Sequence, residues 1–145
     1  MKAASQIGQD RAGRSRRAGI LLALTIAGVA LLVQAVPSLA GSLQWSRQAS
    51  APSRTWRWLT GHLTHWSWDH LQWDLIAFAM LSFMGLRFAP RGFTRCLALA
   101  AVVIPLELRF HEPQIGSYRG LSGIDSALFG LLVASLWSHR AGSSR

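Results

Sequence analysis

The feature that most constrains this chain is the alternation of long apolar runs, poor in charge, with short, strongly basic segments. Ala18 to Val36 holds nineteen residues without a charge. At about 1.5 Å per residue, such a helix nearly crosses a hydrocarbon core of about 30 Å. Three further apolar runs follow, at residues 71–88, 93–108 and 121–137. Only 14% of the residues are charged, against about 25% in a typical soluble domain. The pattern predicts an all-α fold, a polytopic bundle of about four transmembrane helices.

Basic residues cluster at the ends of the apolar runs. The segment 1–17 has five Lys or Arg residues, the turn at 87–95 has three and the tail 139–145 has two. Short basic segments stay on the cytoplasmic side of a membrane. We therefore expect residues 18–138 to form the membrane domain, with both termini cytoplasmic, in a bacterial inner membrane. The net charge of +9 follows from these clusters. We therefore expect the lipid bilayer as the partner of the basic residues, and no nucleic acid.

The first apolar run has a second interpretation, as part of a cleaved signal peptide. Ser38, Leu39 and Ala40 precede Gly41 in the small-residue pattern of a cleavage site. The run is long for that role, which favours a retained helix, and both alternatives stay open from the sequence.

The segments between the runs are expected to be loops. Residues 41–70 are predicted to lie on the membrane surface, because tryptophan concentrates at membrane interfaces and this segment has five of them. Pro105 and Glu107 predict an irregular end to the third run. Residues 109–120 form a polar loop before the fourth run.

Ser122 stands at the start of the fourth run, between Gly120–Leu121 and Gly123. A hydroxyl at a helix N-terminus lies beside unpaired N–H groups that stabilise developing negative charge. Flanking glycines let the backbone approach closely. The pattern indicates a nucleophile. The alternative is structural, because small residues recur every four positions from Ser122 to Ala134, and such rows let membrane helices pack closely.

Three histidines precede the second run, and an aspartate lies inside it. His70 and Asp74 share a helix face, and an Asp in an apolar run is a functional hypothesis by default. A packing role is the alternative for Asp74. His62 and His65 have a spacing that could chelate, but no acidic residue completes a zinc motif, so we expect no metal and no cofactor. Asp125 is free to meet Ser122, an arginine or another helix.

Two patches of the chain resemble the rhomboid family of intramembrane serine proteases. Residues 56–70 are similar to the first rhomboid loop, which has a Trp-Arg pair, a threonine and a His-x-x-x-x-His spacing leading into the second helix. Residues 120–123, followed by Ala127 and Gly130, resemble the fourth helix around the nucleophile. The segment Tyr118 to Gly123 is most similar to the rhombosortase branch, which processes proteins bearing a C-terminal sorting tail.

The resemblance implies a serine endopeptidase that cleaves transmembrane protein substrates. Ser122 would attack the scissile carbonyl, and His70 with the Ser122 backbone N–H would stabilise the oxyanion. Gly120 and Gly123 would shape this site. The residues implied to anchor the first loop are Trp56, Arg57 and His65.

The sequence departs from the family in two places. Asp74 stands at an oxyanion-site position where rhomboids usually have asparagine, so it must be neutral, turned away or differently employed. The general base of rhomboids is a histidine on a sixth helix, and residues 1–145 contain no histidine at a matching position. His139 is about 25 Å from Ser122 along a helix, and His111 matches no rhomboid position. We therefore expect a protease truncated before its dyad histidine, or an inactive relative that binds transmembrane segments. A cofactor-binding subunit is a third, weaker hypothesis.

Overall fold

The computed structural model describes residues 2–49 and 51–143, and the side chains of residues 12–49 and 55–140. The described residues form helices with almost no sheet, which confirms the all-α class. The helices are α1 (Lys2–Ala35), α2 (Pro37–Leu43), α3 (Ala51–Thr60), α4 (Trp68–Phe88), α5 (Pro90–Phe110) and α6 (Ser122–Ser143). A 3-10 turn spans Gly61–Leu63, and two short strands, β1 (Trp45–Ser46) and β2 (Ser117–Tyr118), pair antiparallel.

Two helices of the described chain are long and apolar enough to cross a membrane. The first is Ala12–Ala35, with a mean hydropathy of 2.2, and the second is Trp68–Phe88, with 1.2. Helices α5 and α6 have 21 and 22 residues, but charged residues inside them lower their hydropathy. A bundle with four crossings therefore stays a prediction.

The core lies where α1, α4, α5 and α6 meet. Its buried apolar side chains come mainly from the last three of these helices: Phe78, Leu86, Phe93, Leu97, Ala100, Leu121, Ile124 and Leu128. Helix α1 approaches closely at Gly19, where a side chain would collide with Leu86. Helix α6 contacts both α4 and α5, so its N-terminus is fixed from two sides.

The prediction that residues 41–70 form a loop is wrong for much of the segment, because Ala51–Thr60 is helical and α4 begins at Trp68. Its place at a membrane surface stays a prediction. Helix α2 begins at Pro37, a residue suited to the first helical position because its missing N–H needs no partner there. Helix α3 is amphipathic: Trp56 and Leu59 are exposed, whereas Trp58 is half-buried. The tryptophans are typical of a membrane interface, and their number obscured the helical periodicity of α3.

The prediction of an irregular end at Pro105 is also wrong, because α5 continues through Pro105 to Phe110. A proline inside a helix leaves the carbonyl four residues earlier without its helical donor. Here that carbonyl belongs to Ala101, and the Nε2 atom of His62 lies 3.3 Å from it. The first loop therefore supplies the hydrogen bond that the helix lacks.

Candidate active site

Ser122 is the first residue of α6, and its side chain is exposed. The first helical hydrogen bond runs from the Asp125 N–H to the Leu121 carbonyl at 2.9 Å. The Ser122 N–H therefore has no acceptor within the helix. Leu121 is fully buried in the core, and Gly120 has a φ of +120°, which side chains of L-residues rarely adopt. The turn thus presents the serine outward while its neighbour is anchored inward.

The residues His65, His70 and Asp74, called here the histidine–aspartate cluster, lie directly beneath this turn. The Oδ2 atom of Asp74 accepts a hydrogen bond from the Leu121 N–H at 2.8 Å. It also lies 3.2 Å from His65 Nε2 and 3.4 Å from His70 Nε2. The two imidazoles meet edge to face, with centroids 5.2 Å apart. One carboxylate oxygen thus joins both histidines to the backbone just before the serine.

The cluster explains why residue 120 is glycine. A Cβ atom there would lie 2.9 Å from Asp74 Oδ2 and 3.1 Å from His70 Nε2. The structure therefore brings together the predicted residues His70, Asp74 and Gly120 next to Ser122. Asp74 is employed in holding the backbone of the turn, the third of the options that its charge left open.

The turn is also tied to the first loop by backbone contacts. The Gly61 carbonyl accepts from the Gly120 N–H at 3.3 Å and from the Thr64 hydroxyl at 3.0 Å. Strand β1 pairs Trp45 with Tyr118 of β2. Trp45 is 2% exposed, and a Cβ atom on Gly61 would lie 2.9 Å from it. Close packing of Gly61 against Trp45 thus holds the two loops together.

Tyr118 is a site residue that the sequence reasoning missed. Its hydroxyl donates to the Gly120 carbonyl at 2.8 Å and accepts from the Gly123 N–H at 3.4 Å. The signal available in the sequence was the position of Tyr118, four residues before the candidate nucleophile.

Burial raises the pKa of Tyr118 above its usual value, and its hydrogen bonds oppose that shift only in part. The phenol is therefore neutral near pH 7. A neutral phenol is unsuited to take the proton of the Ser122 hydroxyl. His62 packs edge to face against the Tyr118 ring at a centroid distance of 5.5 Å.

Arg47 is a second site residue that the sequence did not indicate. Its guanidinium donates to the carbonyls of Arg109 at 2.8 Å, Glu112 at 2.7 Å and Ile115 at 3.1 Å, and to that of Leu108. A cation that bonds the last carbonyls of a helix also offsets its macrodipole. Arg47 thus fixes the end of α5 and the loop that leads to Tyr118.

Two of the predicted loop anchors, Trp56 and Arg57, hydrogen-bond to backbone carbonyls of residues 42–44. Trp56 donates its ring N–H to the Ser42 carbonyl at 3.3 Å, and Arg57 donates to the Gln44 carbonyl at 3.4 Å. Arg119 donates to the Gln44 side chain at 2.7 Å and lies over the Trp66 ring at 4.3 Å. These bonds connect α3 and the turn before Ser122 to the chain around residues 42–44.

No histidine bonds the Ser122 hydroxyl among the described residues. His139 lies near the far end of α6, and the exposed His111 ring contacts Glu107 at 2.8 Å. Asp125 is 8% exposed, and its side chain bonds neither Ser122 nor Arg119 in the described part of the chain. Among the described residues, the polar contacts around Ser122 are therefore made to the backbone, and no histidine contacts its hydroxyl.

The row of small residues on α6, which suggested a packing role for Ser122, is exposed. Ser126, Gly130 and Ala134 all lie on the surface, and a Cβ atom on Gly130 would meet nothing within 4 Å. The described helices do not pack against this row. Close packing within residues 2–143 therefore does not explain the small residues of α6.

Gly123, by contrast, needs its small size. A Cβ atom on it would lie 2.9 Å from Ile104 and 3.0 Å from the Tyr118 hydroxyl oxygen. Glycine at this position lets α6 begin close to both α5 and Tyr118.

The described residues contain no group of three or more His, Cys, Asp or Glu side chains placed to hold a metal ion. A scan against protein-family models finds no match for this chain, and neither does a search of curated proteins.

Proposed function

We propose that this chain is a rhomboid-like protein of the bacterial inner membrane, similar to the rhombosortase branch, with its N-terminus in the cytoplasm. In this proposal Ser122 is the nucleophile of a serine endopeptidase acting on membrane-anchored protein substrates. The observation that carries it is the turn at residues 120–122. An exposed serine begins a helix, and a buried carboxylate and the first loop both hold the backbone before it.

The reaction would begin when the Ser122 Oγ atom attacks the scissile carbonyl carbon of the substrate. The carbonyl oxygen then carries negative charge beside the N-terminus of α6, where the Ser122 N–H has no helical acceptor. Collapse of the intermediate breaks the C–N bond and releases the amine product. Water then hydrolyses the acyl-serine and restores the free hydroxyl.

His70 would act as the second donor to the oxyanion. Its ring lies against Gly120 and is partly exposed, with 29% of the side chain accessible. The 3.4 Å separation between its Nε2 atom and Asp74 is long for a hydrogen bond. The same N–H is therefore free to turn toward a bound oxyanion at little cost.

Asp74 would act as a positioning residue. Its Oδ2 atom takes the Leu121 N–H, so this carboxylate faces the scaffold of the turn rather than the reacting oxygen. This arrangement reduces the repulsion that a free carboxylate would exert on an oxyanion.

The proton of the Ser122 hydroxyl has to leave during attack, and Tyr118 is unsuited to take it because its raised pKa keeps it neutral. We place the base outside the described residues, either on further polypeptide or on a partner chain.

The second candidate is a non-catalytic rhomboid-like protein that binds transmembrane segments of partners. A groove of about 500 Å³ between α5 and α6 favours it. Small residues of α6, Ala127, Gly130 and Ala134, line one side, and Leu99 and Val103 line the other. Rows of small residues are the surfaces on which membrane helices pack most closely.

Cleavage of membrane-anchored reporter proteins in the bacterial membrane tests the first candidate. We expect cleavage by the wild-type chain, none by Ser122→Ala and a loss of about 10²-fold or more in His70→Ala. His139→Ala is the matched control and should cleave normally, since His139 is an exposed histidine at the opposite end of α6. Capture of reporters without cleavage, unchanged by Ser122→Ala, would establish the second candidate instead.

A further inference from the structure

A second groove lies at the other end of the bundle, where the N-terminal half of α1 meets the C-terminal end of α4. The Ser15 hydroxyl donates to the Pro90 carbonyl at 2.9 Å, and Gly19 contacts Leu86. Ser15 meets residue 90 and Gly19 meets residue 86, so α1 and α4 run antiparallel. Beside this contact is a groove of about 160 Å³, lined by Arg16, Ile20, Phe83, Leu86 and Arg87.

The groove has an apolar body and a basic mouth. Ile20 is 43% exposed and Phe83 is 74% exposed, while Leu86 is buried between them. Arg16 lies one helical turn before Ile20, and Arg87 lies one turn after Phe83. Because the helices are antiparallel, both guanidinium groups belong to the same end of the groove, facing away from the middle of the spans.

Further arginines flank the mouth of the groove. Beside Arg16 and Arg87, residues 12–20 and 83–95 contain Arg14, Arg17 and Arg95, and these two segments contain no Asp or Glu. The described ion pairs of the chain all involve histidines, so neither Arg16 nor Arg87 is neutralised by a described carboxylate. Basic pockets between membrane helices on the cytoplasmic side are suited to the headgroups of anionic lipids.

We propose that this groove binds an anionic phospholipid. Its phosphate lies between Arg16 and Arg87, and one acyl chain lies along Ile20 and Phe83. The pairing of two cations with an exposed apolar wall favours a lipid over a free phosphate, which would leave Phe83 in contact with water. The site lies beyond the proposed protease function and needs only the membrane placement of α1 and α4.

Binding is tested on the full chain purified in detergent, by native mass spectrometry with phosphatidylglycerol and phosphatidylcholine as competing probes. We expect retention of phosphatidylglycerol by the wild type. Binding should be about 30-fold weaker in Arg16→Gln/Arg87→Gln, about fivefold for each of the two cations beside the phosphate. Arg14→Gln/Arg17→Gln removes the same amount of charge from α1 outside the groove, and should keep most of the binding. Phe83→Ala should also weaken phosphatidylglycerol while leaving the charge unchanged.

Three results would overturn the proposal. One is equal loss in both arginine pairs, which would mean a diffuse charge effect. Another is equal retention of phosphatidylcholine, and the third is displacement of the lipid by millimolar inorganic phosphate with no effect of Phe83→Ala. Circular dichroism checks that each variant keeps its helical content. Ser122→Ala should bind lipid like the wild type, so failure of the protease proposal leaves this test intact.

Discussion

The two sides of the turn at residues 120–122 are built very differently. On one side, the histidine–aspartate cluster holds the backbone through a buried carboxylate that accepts the Leu121 N–H and lies within 3.4 Å of both histidines. On the other side, the Ser122 side chain is exposed, and the nearby phenol of Tyr118 is neutral near pH 7. In the described residues, the polar contacts therefore fix the position of the serine backbone, and none is placed to take the proton of its hydroxyl.

The difference has a physical basis in burial. A buried N–H such as that of Leu121 costs about 1–3 kcal/mol if it has no partner, so the fold must satisfy it. An exposed hydroxyl is satisfied by water and places no such demand on the fold. The backbone side of the site is therefore required for folding, and the hydroxyl side is free to be completed by another group.

The largest expected effect comes from adding a methyl group to the turn. Gly120→Ala combines a φ of +120° with a Cβ atom 2.9 Å from Asp74 Oδ2, and strain and overpacking each cost about 1–3 kcal/mol. We expect the free energy of unfolding in detergent to fall by about 3 kcal/mol. Gly130→Ala is the matched control, since nothing lies within 4 Å of its added Cβ atom. Equal stability of the two variants would mean that the cluster does not press on the turn.

The next effect separates the acceptor from the charge of Asp74. Asp74→Ala leaves the Leu121 N–H unpaired and should lower the free energy of unfolding by about 2 kcal/mol. Asp74→Asn keeps an oxygen for that N–H and should cost less than about 1 kcal/mol. Chemical denaturation of both variants measures the difference. A loss in the Asn variant as large as that in the Ala variant would show that the charge of Asp74, not the Leu121 hydrogen bond, holds the turn.

A smaller effect is expected on the hydroxyl side. Tyr118→Phe removes the bonds to Gly120 and Gly123 while keeping the ring against His62. Because the lost group has partners partly open to water, we expect a loss of about 1 kcal/mol in the free energy of unfolding. Thermal unfolding in detergent checks it. A loss as large as that of Asp74→Ala would erase the contrast between the two sides.

The smallest effect is a pH dependence carried by His62. Burial lowers the pKa of His62 below its usual value, against an opposing effect of its bond to Ala101. The unfolded chain binds this proton near pH 6.5, whereas the folded chain binds it only at lower pH. Stability is therefore complete above pH 6.5 and falls as the pH drops below it, by at most about 1.4 kcal/mol per pH unit.

Melting curves at pH 7.5 and 5.5 measure this slope. His62→Gln should flatten it, and the exposed His139→Gln should leave it unchanged. A slope that is unchanged in His62→Gln would assign the pH dependence to other groups.

The sequence predicted the helical class, and it singled out three residues that the structure brings together. Apolar runs located the cores of α1, α4, α5 and α6, because burial and membrane insertion both select apolar residues at helical length. Asp74 is a charge in an apolar run, His70 shares its predicted helix face, and Gly120 begins the Gly-x-Ser-Gly segment. Their meeting at one carboxylate oxygen depends on how α4 packs against α6.

The rest of the site depends on contacts between distant segments. His62 bonds the Ala101 carbonyl that Pro105 leaves free, across 39 residues of sequence, and nothing local to either segment indicates the other. Arg47 caps the end of α5 from more than 60 residues away. Tyr118 is close to Ser122 in sequence, yet its role follows from the strand pairing with Trp45 that orients it.

We propose that Ser122 is a nucleophile whose backbone is held in place by the described residues and whose general base lies outside them. Labelling with a fluorophosphonate probe tests it most directly, on the chain in native bacterial membranes and on the purified chain, with the modified peptide identified by mass spectrometry. We predict labelling of Ser122 in membranes, absent in Ser122→Ala and weak or absent in the purified chain. Unlabelled Ser122 in both settings, in a protein shown to be folded, would contradict the claim.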